Sequence, residues 1–351
     1  MTAVRVRSSK SWDGARKRRL TAELLDGWDL SSYLSVVCRT RGPSLQGPHP
    51  MPDPSLTRRD VVAGLGLSAL GIGSGASAHA PGAEAEVGWM AASLSEAGGG
   101  LKLIGSENPD LRLPMCSSFK WLLAAHILAR CEAGEDQLTR RLIYSRADLL
   151  PNSPITEQAL AQPGAAQADM SLADLCRAAI TVSDNAAADL LLQIQGGPAG
   201  LTAFLRRIGD PVTRLDRIEP DLNHVPRGDP RDTTTARAMV GTLNSLLFGV
   251  GLKPSSRAKL MEWMRATETG ATRLKAGLPP GWRIAHKTGT MPSDYAKSPP
   301  ERGASGDVGV LFPPKGAPIL IAAYEAGSPR PQSQIDAWFA HLAARVSRGQ
   351  G

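Results

Sequence analysis

The chain has 351 residues, 42% of them hydrophobic, which is enough to bury a sizeable core in one large domain or two. Its formal charge of +7 raises the question of a nucleic-acid partner. The excess sits at the front: eleven Lys/Arg face six Asp/Glu up to Ala78, leaving twenty-nine against twenty-seven beyond it, and no nucleic-acid partner is expected.

The one dense basic run, Arg16-Lys17-Arg18-Arg19, falls within residues 1–50. These are expected to be a dispensable extension or a mis-assigned start, because Met51 stands just upstream of what reads as an export signal over 51–78. That signal consists of Thr57-Arg58-Arg59-Asp60, a weakly apolar stretch over 61–72, and Ala76-Ser77-Ala78 as a small-residue cleavage site. The paired arginines resemble a twin-arginine signal, although Asp60-Val61-Val62 departs from its usual continuation. The apolar stretch is too short and too Gly-rich to span a bilayer, so the mature protein is expected to be exported, periplasmic or secreted, with no stable membrane insertion.

Of the four cysteines Cys38, Cys116, Cys131 and Cys176, three survive cleavage, so at least one is a free thiol, and all read as small buried hydrophobes. His126, His224 and His286 are isolated, and neither a metal nor a cofactor is expected.

Two strands are predicted over 87–94 and 101–104, joined by a turn at Ala97-Gly98-Gly99-Gly100. Helical punctuation then runs to about Gly249. Leu172, Leu175, Cys176 and Ala179 recur at helical spacing behind the N-cap candidate Ser171, and Leu201, Phe204, Leu205 and Ile208 do so before Gly209. Another helix follows Pro254, then strands over 282–285, 308–312 and 319–324, the last two joined by Pro313-Pro314-Lys315-Gly316. A closing amphipathic helix shows Ile335, Trp338, Phe339, Leu342 and Val346 on one face. Strands from both chain ends around a helical middle predict a mixed α+β fold, with an antiparallel sheet flanked by helices and an inserted all-helical domain. The predicted parts are an α/β domain from 86–115 and 255–351, and a helical domain over 116–254, with a cleft between them.

Three motifs carry chemistry. Ser117-Ser118-Phe119-Lys120 puts a hydroxyl and an amine on one helical face, and a lysine kept neutral can activate the serine. Alone the motif is weak, since Ser256-Arg257-Ala258-Lys259 has the same spacing and reads as a solvated helix face. Ser183-Asp184-Asn185 sits at a corner between a helix ending near Thr181 and one beginning near Ala186. There a second hydroxyl can relay a proton and Asn185 can hold a substrate amide and Lys120, but for the tripeptide alone a plain N-cap is the better explanation. Lys287-Thr288-Gly289-Thr290 ends a strand, reads as an edge, and offers Lys287 and Thr288 to a carboxylate, a Thr290 N–H to an oxyanion, and Gly289 for close approach of a ligand to the strand's backbone.

Taken together and in this order, the three motifs resemble the set of class A β-lactamases and penicillin-binding proteins. Arg217-Ile218-Glu219-Pro220-Asp221-Leu222-Asn223 is similar to the loop that separates class A lactamases from the peptidases. The resemblance covers about residues 86–347. It implies Ser117 as nucleophile, Lys120 and Ser183 as proton carriers, Glu219 as base for the hydrolytic water, and Asn223 as its holder. It also implies an Arg217–Asp232 pair pinning the loop, and substrate contacts from Asn185, Arg273, Lys287, Thr288 and Thr290, with Arg273 aimed at the substrate carboxylate. The implied activity is hydrolysis of a small-molecule β-lactam through a serine acyl-enzyme by a monomer. The alternatives are a penicillin-binding peptidase that acylates without turnover, and a binding protein on the same scaffold.

Three features depart from the family. Only about eight residues separate the expected cleavage site from Glu86, where a helix is usual, Asn152 stands where an aromatic is frequent, and an insertion runs from Met291 to Ala304.

Overall fold

A computed structural model describes residues 85–95, 100–161, 166–294 and 302–348. Every described residue belongs to one compact unit, 76–351. The expected extension and export signal, with Cys38, lie outside the described residues, as does the turn at 97–99.

Five antiparallel strands form the main sheet: β1 (Glu86–Leu94), β2 (Leu101–Glu107), β7 (Arg283–Met291), β8 (Ala304–Phe312) and β9 (Ile319–Ala326), in the order β2-β1-β9-β8-β7. Four of these strands, all but β2, are buried along most of their length, because each face of the sheet meets its own apolar layer. Trp89, Ala91, Leu311, Ile319, Ile321 and Ala323 face the closing helix α8 (Gln332–Arg348), whose Ile335, Phe339, Leu342 and Val346 are buried against them. Residues of opposite parity, Met90, Ala92, Val308, Val310, Leu320 and Ala322, join the second core with the other helices. Each large side chain so buried contributes roughly 1.5–3 kcal/mol.

The second core is organised around α1 (Lys120–Glu132), buried without a break from Lys120 to Leu128. A helix enclosed on all sides needs partners on all sides. Around it stand α3 (Leu172–Thr181), α4 (Asn185–Ile194), α5 (Gly197–Arg207) and α7 (Pro254–Arg265), while α6 (Ala236–Leu247) lies against β1, β8 and β9. Ser171 caps α3 as expected, accepting from the Asp174 N–H at 3.1 Å. Gly209, with φ 91°, follows α5 where the periodicity stops.

The middle of the chain is not wholly helical. A short helix α2 (Pro154–Ala159) is flanked by β4 (Arg141–Ser145) and β5 (Gln167–Ser171), which pair as an antiparallel ribbon. Only Tyr144 and Met170 of the ribbon are buried, and Ile143 is 68% exposed, so the segments show no run of apolar alternation that would mark them as strands. A two-residue pair, β3 (Leu113–Pro114) with β6 (Thr233–Thr234), ties the entry of α1 to the start of α6. Among the described residues no helix is long and apolar enough to cross a membrane.

Candidate active site

Ser117 lies in a 3₁₀ turn, Cys116–Phe119, that runs directly into α1 and not in the α-helix itself. Cys116 enters this turn at φ 43°, and Ser118 Oγ ties it down by donating to Met115 O at 2.7 Å. The neighbouring β7 explains Gly289 differently from the sequence reading. A Cβ there would stand 2.4 Å from Met115 O and 2.9 Å from Ser118 N, so the missing side chain admits the backbone of the nucleophile turn rather than a ligand. Burial, aided by the Glu219 carboxylate, pushes the Cys116 thiol up to about 12, so it stays protonated and unreactive beside Ser117.

Lys120, fully buried, donates to Ser183 O at 2.9 Å and Asn185 Oδ1 at 2.5 Å, lies 3.4 Å from Ser183 Oγ, and pairs with Glu219 Oε1 at 3.1 Å. Burial lowers its pKa, and the Glu219 charge acts in the opposite direction. The corner motif both caps a helix and reaches Lys120. Asp184 is the cap of α4, accepting from Ala187 N at 2.9 Å and from Ile155 N and Thr156 N at 3.0 Å, which frees Ser183 and Asn185 on either side of it to face Lys120. Ser183 takes φ 63°, a conformation held by these surrounding bonds. In the other Ser-x-x-Lys, Ser256 is buried rather than solvated, while Lys259 turns outward to Glu262 at 2.8 Å, so no such pairing arises.

Glu219 is 3% exposed, and its Oε1 accepts from Ser117 Oγ at 3.3 Å, while Oε2 accepts from Asn223 Nδ2 at 2.7 Å. The loop that carries it is pinned as expected: Asp232, wholly buried, accepts from Arg217 Nε at 2.6 Å, Arg217 N at 3.0 Å and Asp216 N at 2.7 Å.

On the sheet side, Lys287 Nζ donates to Ser183 Oγ at 3.1 Å and to Thr288 O at 2.8 Å. Burial, then the nearby Lys120 charge, holds its pKa well below the usual lysine value. Thr288 and Thr290 line the cleft of about 230 Å³ that also holds Ser117, Ser183, Arg273 and Asp336. Arg273 is 4% exposed and already well partnered, through Asp336 Oδ1 at 2.9 Å, Thr290 Oγ1 at 2.7 Å, and the carbonyls of Gly289 and Gly306 at 2.9 and 3.0 Å. It therefore reaches the cleft as a fixed positive wall rather than as a mobile arm.

The model of the β-lactamase enzyme family matches residues 79–349. The chain belongs to that family. Among solved structures it is similar to the class A β-lactamase reconstructed for the last common ancestor of Gram-negative bacteria (GNCA4). That match has 46% identity and a TM-score of 0.68, and covers 76% of this chain and 94% of that one. A W229D mutant of an ancestral enzyme of the same description matches at 44% identity and TM-score 0.67, over 76% and 93%. The putative class A β-lactamase PenP from Rhodopseudomonas palustris matches at 44% and 0.67, over 75% and 93%. The fold is that of class A, and the chain is a hydrolase of the β-lactamase family.

Within this class A frame, the structure adds residues that the motifs did not single out. Asp189 accepts from the Glu219 N–H at 3.2 Å, and burial lifts its carboxyl to about 6. Its signal was available, because it follows Asn185 by one helical turn on α4. Asn152, at φ 61°, donates to Ser183 O at 3.1 Å and lines the cleft. Thr269 shares a 2.7 Å hydrogen bond with Thr288, and Asp336 orients Arg273. Neither of these belongs to a local pattern. Residues 295–301 of the insertion lie outside the described residues.

Proposed function

We propose that the chain hydrolyses β-lactams through an acyl-enzyme on Ser117, cleared by a water that Glu219 activates. The observation that carries this reading is the position of Glu219 Oε1, 3.3 Å from Ser117 Oγ and 3.1 Å from Lys120 Nζ. A hydroxyl, an amine of lowered pKa and a carboxylate thus share one buried point.

In the first step the Ser117 proton passes to Lys120 or Glu219 as Oγ bonds to the lactam carbonyl carbon, with the Ser117 and Thr290 N–H groups holding the oxyanion. The C–N bond then breaks, and Ser183, between Lys120 and Lys287, hands a proton to the leaving nitrogen. In the second step a water held by Glu219 and Asn223 loses its proton to Glu219 and attacks the ester, and Ser117 leaves with a proton. Lys287, Thr288, Thr290 and Arg273 supply a donor-rich wall suited to the substrate carboxylate, and Asn185 suits its amide.

Mixing the purified protein with a chromogenic β-lactam tests this directly. Many equivalents of product per Ser117 are expected, whereas one equivalent followed by silence would identify a penicillin-binding peptidase. Export belongs to the same proposal, supported by Arg58-Arg59, the apolar stretch after them and Ala76-Ser77-Ala78. The mature protein is expected outside the cytoplasm, as a monomer, with its N-terminus just after Ala78. Sequencing that terminus after cell fractionation, and sedimentation of the product, check both points.

A further inference from the structure

On the far side of the Lys287 strand, a second cavity of about 440 Å³ opens between the end of α7, the segment before β7 and the start of β7 itself. It shares no lining residue with the cleft that holds Ser117. Three cations, Arg265, Lys275 and Arg283, line it, and no Asp or Glu does. Arg265 is held in place by stacking over the Phe312 ring, 4.8 Å from its centroid. Leu278, Trp282 and Ile284 supply apolar wall between the charges. The volume lies in the range of small-molecule sites, about 300–1,000 Å³.

The wall also contains His286, 1% exposed. Its Nδ1 bonds Asp307 Oδ1 at 2.8 Å, while its Nε2 is buried with no hydrogen-bond partner among the described residues. Nε2 is shielded from solvent and lies behind the wall, so the ring stands against the cavity and senses what fills it without bonding to it. Asp307, the acid behind it, is wholly buried, is engaged by His286 and the Leu274 N–H at 3.3 Å, and takes no part in the lining. The mechanism uses none of these groups, because His286 points to the opposite face of β7 from Lys287.

We infer that this cavity binds a small organic anion with a flat apolar body, such as an aromatic carboxylate or sulfonate. Its charge meets Arg265, Lys275 and Arg283, and its body lies along Trp282 and Leu278. The inference stands apart from the hydrolytic reading, since the two cavities share no residue.

The test titrates the mature protein with 8-anilinonaphthalene-1-sulfonate, following fluorescence together with the imidazole nitrogen resonances of His286. One saturable site is expected, with the His286 Nε2 resonance moving as it fills. The exposed substitutions Lys275→Glu and Arg283→Glu should each weaken binding about tenfold, as should raised salt, while β-lactam turnover stays unchanged. Equal affinity in both variants would overturn the inference. So would a His286 resonance that does not move in the wild-type protein, a result that depends on no substitution.

Discussion

Replacing Glu219 by glutamine isolates its role as a base, because the amide has nearly the same shape. The carboxylate serves three partners, Ser117 Oγ at 3.3 Å, Lys120 Nζ at 3.1 Å and Asn223 Nδ2 at 2.7 Å. The amide oxygen can keep the first two. Its NH₂ then meets Asn223, whose own Oδ1 is buried with no partner among the described residues and can accept once that amide turns over, giving up its 2.9 Å bond to Pro220 O. The loop is therefore expected to hold. Lys120 loses its countercharge but keeps Ser183 O and Asn185 Oδ1 as acceptors, and burial already favours its neutral form. A neutral Lys120 can still take the Ser117 proton, so acylation should survive while deacylation fails. A positioned general base is worth about 10²–10⁴ in rate, so kcat should fall about a thousandfold, or about 4 kcal/mol in activation free energy. Stopped-flow absorbance with a chromogenic β-lactam should show a burst of one equivalent, and mass spectrometry an adduct on Ser117. Steady-state turnover within about tenfold of wild type would refute the argument, and so would loss of the adduct along with turnover.

Gly289→Ala drives a Cβ to 2.4 Å from Met115 O, a backbone atom that cannot swing aside, so β7 must part from the nucleophile turn. A loss of about 1–3 kcal/mol in urea unfolding, with a larger loss of acylation rate, is expected. Asp232→Asn keeps a residue type tolerant of φ 57° but gives up the charge that holds Arg217 at 2.6 Å, and should cost about 1.5–3 kcal/mol and expose the 216–232 loop to limited proteolysis. For His126, burial and then the Arg207 charge lower the pKa from 6.5 to about 4. The unfolded chain therefore takes up the proton first as the pH drops, so stability is full above 6.5, falls steadily towards 4 and levels off below it. Urea midpoints across that range should fall less in His126→Gln than in the wild-type protein.

Much of the site was legible because its motifs are local. Ser117 and Lys120 are one turn apart, Ser183 to Asn185 are consecutive, and so are Lys287 to Thr290. Helix periodicity placed α3, α5 and α8, and apolar runs beside turn residues placed β1 and β9. The β4–β5 ribbon escaped because a mostly exposed pair has no apolar pattern to show. The partners of Arg273 were not legible, because its acceptors, the Gly289 and Gly306 carbonyls and Asp336, come from β7, β8 and α8 and leave no mark around position 273.

The sequence by itself determined which functional groups exist and the short elements that present them, since capping, turn chemistry and periodic burial act over a few residues. Only the tertiary structure decided how those groups combine. Ser117 and Glu219 are 102 positions apart and Ser183 and Lys287 are 104 apart, and such pairs meet only after two cores have closed against the sheet. The environment that lowers the pKa of Lys120 and Lys287 arises in the same step, because burial belongs to the packed chain and not to any residue alone.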